Sequence, residues 1–398
     1  MSWGRFATSR AYWRRVYFKK NMTKPKSVDL DAVRDQIDAL DEQLHQLLNE
    51  RARLAQQVGI SKTATGSTVD FYRPERESQV LRRVKERNHG PLRTEDVLRL
   101  FREIMSACLA QQEPLKVAFL GPEGTFTQTA VLTHFGHAVR ALPLPSVDEV
   151  FHEVESGAVD FGVVAIENST EGMVINTLDR FLNSSARICG EIELRIHHFL
   201  MGRMQSLEGI KRVCSHQQAL AQCRLWLDEN LPAVERVAVT SNAEGARRAR
   251  DEQGTAAIAG ATAAEVYGLT VLAPQIEDRP DNTTRFFVLG RKIFTPSGQD
   301  RTTLIASTGE TNTSGALLRL LEPFATHHIS MTRIESRPSP APRRPKSTAC
   351  RCWRRRSKID PTIRRGSLCW AARSSRPAAR TARRSSPRSG IPRLPVRC

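Results

Sequence analysis

The chain has 398 residues, 60 Lys+Arg against 42 Asp+Glu, a net charge of +18 and 40% hydrophobic residues. That length supports two or three domains with cores of their own. The charge sits at the ends: residues 1–21 carry six basic residues and no acid, residues 338–398 carry 18 Lys+Arg and one acid, and residues 22–337 are left at −5, which excludes a basic body built to hold nucleic acid.

Cys108, Cys189, Cys214 and Cys223 lie in the body without a CxxC pair or a His/Cys ladder, which excludes a zinc framework there. They fit the reduced thiols of a cytoplasmic protein. Cys350, Cys352, Cys369 and Cys398 lie in the tail. No run approaches the roughly 18 apolar residues that a membrane span needs.

Residues 1–26 form a basic extension without the apolar segment of a secretory signal. They read as translated upstream sequence, with Met22 as the natural start; an organelle transit peptide is the alternative. Val33, Ile37, Leu40, Leu44, Leu47, Leu48, Leu54 and Val58 then recur at three- and four-residue spacing, which predicts one amphipathic helix of about 30 residues. Ser27 is a plausible cap, and Asp29 and Asp31 suit the positive helix end. A second helix opens at Pro74 and ends before His89-Gly90-Pro91; a third begins at Thr94 and ends before Pro114. Three helices, one very long, leave an apolar stripe that calls for a partner chain. Arg34 and Arg51 lie 17 residues apart on the first helix, about 25 Å, so they reach one small ligand only across an antiparallel dimer.

From Leu115 the texture changes to buried apolar runs alternating with helices, which predicts α/β structure with function on loops at strand ends. Leu115–Leu120, Phe161–Ile166, Ala256–Ala259 and Phe286–Leu289 read as strands. The loop Gly121-Pro122-Glu123-Gly124-Thr125-Phe126 is neither a dinucleotide fingerprint nor a P-loop. Thr125 and the run Asn168-Ser169-Thr170 suit a small carboxylate ligand held on hydroxyls and backbone N–H groups; a plain helix cap is the bland reading of that run. Thr302–Ala306, Gly315–His328 and Ile329–Ile334 predict a β-α-β unit, after which residues 338–398 become rich in Arg, Ser and Pro, with nine of the 21 prolines. That tail cannot bury enough apolar surface to offset chain entropy. It reads as a change of reading frame in a GC-rich gene, or else as a disordered, RNA-binding extension.

Three resemblances sharpen this. Residues 27–113, with VRDQIDALDEQLHQLLNERARLAQQVGISK, RPERE and LFREIMSACLAQQ, resemble the all-helical chorismate mutase domain. The resemblance implies an intertwined homodimer in which Arg34 and Arg51 bind the two substrate carboxylates, one of them donated by the partner. It implies that Lys62 and Gln112 hydrogen-bond the ether oxygen and that Arg76, Glu77 and Cys108 bind substrate, with Cys108 standing where the family has serine. Such a rearrangement needs no nucleophile, metal or cofactor, only a rigid grip on a dianion and donors at the ether oxygen.

Residues 115–295, with GPEGTF, AIENSTEG, CSHQQALAQC and DNTTRFFVLG, resemble prephenate dehydratase, whose two α/β subdomains flank a cleft like a small binding protein. This resemblance implies that Thr284 donates a proton to the leaving hydroxyl of prephenate and that Arg285 and Phe286 share its site. Threonine is a weak acid, so Arg285 or donors in the Asn168–Thr170 loop must assist it. Ser215 and Gln218 are further substrate contacts, and His216 is either a structural imidazole or a general acid. Residues 302–337 resemble the first half of an ACT regulatory domain, which implies a phenylalanine site at Gly315, Ala316, Leu317, Glu335, Ser336, Arg337 and Pro338. The likeness stops in mid-domain.

The expectation is therefore a cytoplasmic, bifunctional enzyme of phenylalanine biosynthesis. It turns chorismate into prephenate and prephenate into phenylpyruvate, with impaired phenylalanine feedback, no cofactor or metal, and no nucleic-acid or membrane partner. A non-catalytic sensor of aromatic metabolites is the rival reading.

Overall fold

The computed structural model describes residues 29–64, 72–170, 172–292, 294, 301–306, 314–336 and 368–373. The chain divides into two units, Met1–Leu54 and Ala55–Cys398. The first helix, α1 (Leu30–Ala64), is 35 residues long. Its cap is Asp29, whose Oδ1 accepts from the N–H groups of Asp31 at 3.2 Å and Ala32 at 3.5 Å. Ser27, the expected cap, lies outside the described residues. The apolar stripe is exposed throughout, with Leu40 at 57% and Leu47 at 61%.

Helix α2 (Pro74–Arg87) starts on its proline, whose missing N–H costs nothing in the first turn. Helix α3 (Thr94–Ala110) follows, and Arg93 pairs with Asp96 at its head. Val80, Val84, Val97 and Phe101 line an open groove of about 410 Å³ between α2 and α3.

The α/β region forms two subdomains. The first sheet contains β1 (Lys116–Leu120), β2 (Arg140–Leu144), β3 (Phe161–Asn168), β5 (Arg187–Arg195) and β11 (Thr283–Gly290), in the order β2-β1-β3-β11-β5. The short β4 (Gly172–Met173) pairs with β3. Strands β1, β2 and β3 are parallel, and β11 runs antiparallel to both β3 and β5. Helices α4 (Phe126–Phe135) and α5 (Val147–Ser156) cover this sheet, and α6 (Ile175–Phe181) follows β4. Cores form on both sides of the sheet, one around Val117, Phe119, Val131 and Phe286, the other around Phe151, Val164, Ile166 and Leu289. That double burial is why these strands read as unbroken apolar runs.

The second sheet has the order β10-β6-β9-β7-β8, from β6 (Phe199–Gly202), β7 (Arg212–His216), β8 (Glu235–Val239), β9 (Thr255–Ala259) and β10 (Thr270–Ala273). Helices α7 (Gln217–Gln222), α8 (Arg224–Asn230), α9 (Asn242–Asp251) and α10 (Ala261–Tyr267) connect its strands. Gly245 of α9 lets the helix sit on β7, since a Cβ there would lie 2.5 Å from the Cys214 carbonyl oxygen. The chain leaves the first subdomain after β5 and returns before β11. These two crossings are bonded together: Ile196 N–H to Asn282 O at 2.8 Å, Ile276 N–H to His198 O at 2.9 Å, and His197 Nδ1 to Glu277 Oε1 at 2.7 Å.

The last region contains β12 (Arg301–Ala306), α11 (Ala316–Thr326) and β13 (Met331–Ser336), as the β-α-β reading expects. Gly315 precedes the helix with φ +77°, a left-handed conformation that glycine adopts without strain. Within the basic tail the described residues are Leu368–Arg373. This stretch forms β14, antiparallel to and between β12 and β13, with Trp370 opposite Leu304 and Ile334. The run Leu368-Cys369-Trp370-Ala371-Ala372 is the most apolar part of the tail, which suits a central strand.

Candidate active site

Strand β11 carries Thr284, Arg285 and Phe286, and pairing with β3 sets Thr284 opposite Asn168. Thr284 is 9% exposed. Asn168 donates from Nδ2 to Thr284 Oγ1 at 2.8 Å and to Asn282 Oδ1 at 3.0 Å. The Asn168 Oδ1 accepts from the Thr170 N–H at 2.9 Å, an Asx turn that fixes the amide. Ser169 Oγ accepts from the Thr283 N–H at 2.9 Å. Asn282 in turn donates to Gln222 Oε1 at 3.1 Å, and His198 Nε2 lies 2.8 Å from the same oxygen. Burial pushes the His198 imidazole below its ordinary value, so it is neutral near pH 7.

Successive residues of a strand point to opposite faces, and Arg285 is accordingly turned away from Thr284. Its guanidinium bonds Glu167 Oε2 and Glu191 Oε1, each at 2.7 Å. Of the two expected helpers of Thr284, Asn168 is in contact and Arg285 is held by carboxylates. Phe286 is 1% exposed and packs in the core with Val117, Phe119 and Val131, so its ring is a packing group and not a ligand contact.

Thr125 caps α4, accepting from the Gln128 N–H at 3.5 Å, and the buried Gln128 Oε1 accepts from the Gly124 N–H at 2.6 Å. The Gly121–Phe126 loop also meets the second subdomain. Tyr267 donates its hydroxyl to Glu123 O at 3.0 Å, and the Phe126 ring meets His198 edge-on at 5.5 Å. Gly260 makes this approach possible, because a Cβ there would lie 2.7 Å from the Phe126 ring. Ser215 is fully buried and donates to Ile258 O at 2.6 Å, which is a structural bond between β7 and β9. His216 caps α7 through its ring, accepting from the Gln218 N–H at 3.4 Å. The structure thus brings Thr284, Asn168 and Ser169 together and adds Asn282, Gln222 and His198, which sequence reasoning missed. Asn282 could have been found two positions before Thr284, just ahead of β11, and Gln222 one helical turn after Gln218.

The prephenate dehydratase family profile matches residues 117–293, and the chorismate mutase type II profile matches residues 33–113. The bifunctional chorismate mutase/prephenate dehydratase of Pseudomonas aeruginosa is 56% identical over 314 residues, which is 78% of this chain and 86% of that protein. The chain belongs to the bifunctional chorismate mutase/prephenate dehydratase family. The Neisseria gonorrhoeae member is 52% identical over 309 residues, 77% of this chain and 84% of its own length. A prephenate dehydratase of Arthrobacter aurescens, solved in complex with L-Phe, superposes with a TM-score of 0.55 at 33% identity, covering 65% of this chain and 80% of that one.

A member of this family carries both activities of phenylalanine biosynthesis, chorismate to prephenate and prephenate to phenylpyruvate. Of the expected mutase residues, Arg34 and Arg51 lie on α1 in the first unit, where Arg34 pairs with Asp31 at 3.0 Å. Lys62 lies in the last turn of α1. Gln112, just past α3, donates to Ala55 O at 2.7 Å, and its Oε1 is buried with no partner among the described residues. Arg76 is exposed and Cys108 is buried. Burial pushes the Glu77 carboxyl up, against a hydrogen bond from Tyr72 and the nearby charge of Arg102. Of the expected regulatory residues, Gly315, Ala316 and Leu317 sit at the start of α11 and Glu335 and Ser336 end β13; Arg337 and Pro338 lie outside the described residues. Among the described residues no group of three His, Cys, Asp or Glu side chains could hold a metal ion, and no helix is long and apolar enough to cross a membrane.

Proposed function

We propose that the dehydratase step uses the Thr284 hydroxyl as proton donor, with Asn168 holding its oxygen. As the carboxylate carbon leaves prephenate as CO2, the electron pair of that C–C bond enters the ring and the ring C–O bond breaks. The departing oxygen takes the Thr284 proton and leaves as water, and solvent returns a proton to Thr284. The observation that carries this reading is the 2.8 Å bond from Asn168 Nδ2 to Thr284 Oγ1. It occupies the oxygen as an acceptor and leaves the hydroxyl hydrogen for the substrate. Thr125, Ser169, Thr170 and Gln218 are the proposed contacts to the rest of prephenate, through hydroxyls, amide and N–H groups.

For the mutase step, Arg34 and Arg51 take the two carboxylates of chorismate in bidentate fashion, Lys62 and Gln112 serve the ether oxygen, and Arg76, Glu77 and Cys108 complete the contacts. The exposed stripe of α1 supports a site finished by a second copy, hence a homodimer. The Arthrobacter relative solved with L-Phe supports phenylalanine as an effector; its place in the last region and a weakened feedback belong to the same proposal. Cytoplasmic placement fits both substrates.

The deciding experiment supplies chorismate alone to the purified chain and follows prephenate and phenylpyruvate. Phenylpyruvate formed by the wild type and lost in Thr284→Ala, with prephenate then accumulating, is the expected result. Phenylpyruvate formed by Thr284→Ala at the wild-type rate would overturn the assignment of the proton donor.

A further inference from the structure

The hydrogen bonds around Thr284 run in one direction, and the backbone sets it. The Thr170 N–H can only donate, so the Asn168 atom that meets it is the oxygen, and Nδ2 faces Thr284 and Asn282. Asn282 therefore presents its oxygen to Asn168 and its Nδ2 to Gln222. The Gln222 atom there is Oε1, which can only accept, so His198 must offer it an Nε2–H. Thus the imidazole is the Nε2–H tautomer. Its Nδ1 and the Gln222 Nε2 are buried without a partner among the described residues.

We infer that His198 is a positioning residue of the dehydratase site: its Nε2–H closes the far end of a chain of side-chain amides that leaves the Thr284 hydroxyl hydrogen free for substrate. The inference rests on Thr284 as the proton donor. The opposite tautomer shows why the lock matters. A bare Nε2 would face the Gln222 oxygen, and relief would need Gln222, Asn282 and Asn168 to turn over in sequence. Asn168 would then set Nδ2 against the Thr170 N–H and present its oxygen to Thr284, capturing the hydroxyl hydrogen. The backbone donor at one end sets the direction, and the imidazole donor at the other satisfies the Gln222 oxygen that this direction leaves facing it. His198 is held through its backbone and its ring edge. Its N–H donates to Glu277 Oε2 at 2.9 Å, its carbonyl accepts from Ile276, and the Phe126 ring covers its edge. The charged and titratable groups facing it are Glu277 and His197. The two unpartnered atoms belong to the same chain of residues, as expected of a site whose polar capacity is finished by a bound group.

The test uses the full-length chain. Imidazole ¹⁵N resonances of the wild type are expected to show His198 as the Nε2–H tautomer at neutral pH; an Nδ1–H tautomer overturns the inference. His198→Leu is expected to lower dehydratase kcat about tenfold with KM within about twofold, while mutase activity is kept. His198→Gln, which can place an amide N–H near the Nε2 position, is expected to restore kcat to within about threefold of wild type. Unchanged kcat in His198→Leu, or equal losses in both variants, overturns the inference. Should His198→Leu not fold, His198→Asn takes its place, because its shorter amide does not reach Gln222. Thr284→Ala is run alongside: dehydratase activity retained there defeats the Thr284 reading itself, whatever the tautomer of His198.

Discussion

Asn168 and Thr284 face each other across β3 and β11, and the amide of one donates to the hydroxyl of the other at 2.8 Å. The Asn168 oxygen is already committed to the Thr170 N–H. Asn168→Asp keeps the shape and replaces that donor with an acceptor, so the Thr284 hydroxyl turns its hydrogen toward the carboxylate. Dehydratase kcat is expected to fall by about 10²–10³, the usual cost of losing one aimed donor at a reacting centre. Mutase turnover measured on the same preparation is expected to be unchanged. Equal kcat in Asn168→Asp and wild type would show that the amide does not orient the hydroxyl.

Arg285 stands next to Thr284 in sequence and serves a different purpose. Its guanidinium joins Glu167 and Glu191, at side-chain exposures of 19%, 12% and 23%. Removing it takes one cationic partner from each of these partly buried carboxylates, while Glu191 keeps Arg301 at 2.9 Å. Arg285→Leu is expected to destabilise the fold by about 2–3 kcal/mol, somewhat under the cost for a fully buried pair. Urea denaturation followed by circular dichroism checks this. A loss below about 0.5 kcal/mol would put Arg285 in the class of exposed surface pairs.

How much of this was legible beforehand depends on the range of the interactions. The long helix, the breaks at His89-Gly90-Pro91 and Pro114, and the runs that became β1, β3, β9 and β11 follow from local periodicity and turn chemistry. Thr284, Asn168 and Ser169 came from motifs, and the sheet does assemble them. The partners of Arg285 lie 94 and 118 residues away in sequence, so only strand pairing reveals that it faces away from Thr284. His198 has no local signal at all. It becomes part of the site because the two crossings between subdomains bring it beside Gln222. Phe286 is a motif residue whose place is the core, which shows that a motif can mark the strand that carries a site as well as the site itself.

His134, near the end of α4, is held at about 4, mainly by burial and then by the charge of Arg102. It is therefore neutral in the folded state below the pH at which the unfolded chain takes up its proton. The unfolded imidazole binds a proton near pH 6.5, so the unfolded state gains protons first as the pH falls. Stability is expected to be level above about pH 6.5 and to drop between about pH 6.5 and 4, by at most about 3 kcal/mol. From about pH 4.5 downward Glu155 and Glu277, both held low against their burial by hydrogen bonds, add a further loss as the unfolded chain protonates them first. His134→Asn is expected to flatten the first segment of the curve. Identical pH dependence in the two proteins would mean that His134 titrates alike in both states.

The stripe on α1 leaves Leu40, Leu44 and Leu47 between 56% and 61% exposed. Burying such side chains contributes about 1.5–3 kcal/mol each, enough for a stable association when several act together. The double variant Leu40→Glu/Leu47→Glu is expected to shift the chain from dimer to monomer in light scattering, to lower mutase activity at least about tenfold and to keep dehydratase activity. A wild-type chain that runs as a monomer with full mutase activity would defeat the shared-site reading.

In the last region β14, from the basic tail, occupies the centre of the sheet, while Leu317 and Leu318 at the head of α11 are 46% and 71% exposed. A phenylalanine site at Gly315–Leu317 needs those positions covered so that the ring is withdrawn from water. With them open, the binding energy available to shift an equilibrium between active and inhibited states is small, and a ligand moves such an equilibrium only by its difference in affinity for the two. Addition of millimolar phenylalanine is expected to change the dehydratase rate by less than about twofold. Sigmoidal, complete inhibition would show instead that the sheet formed by β12, β14 and β13 supports a working effector site.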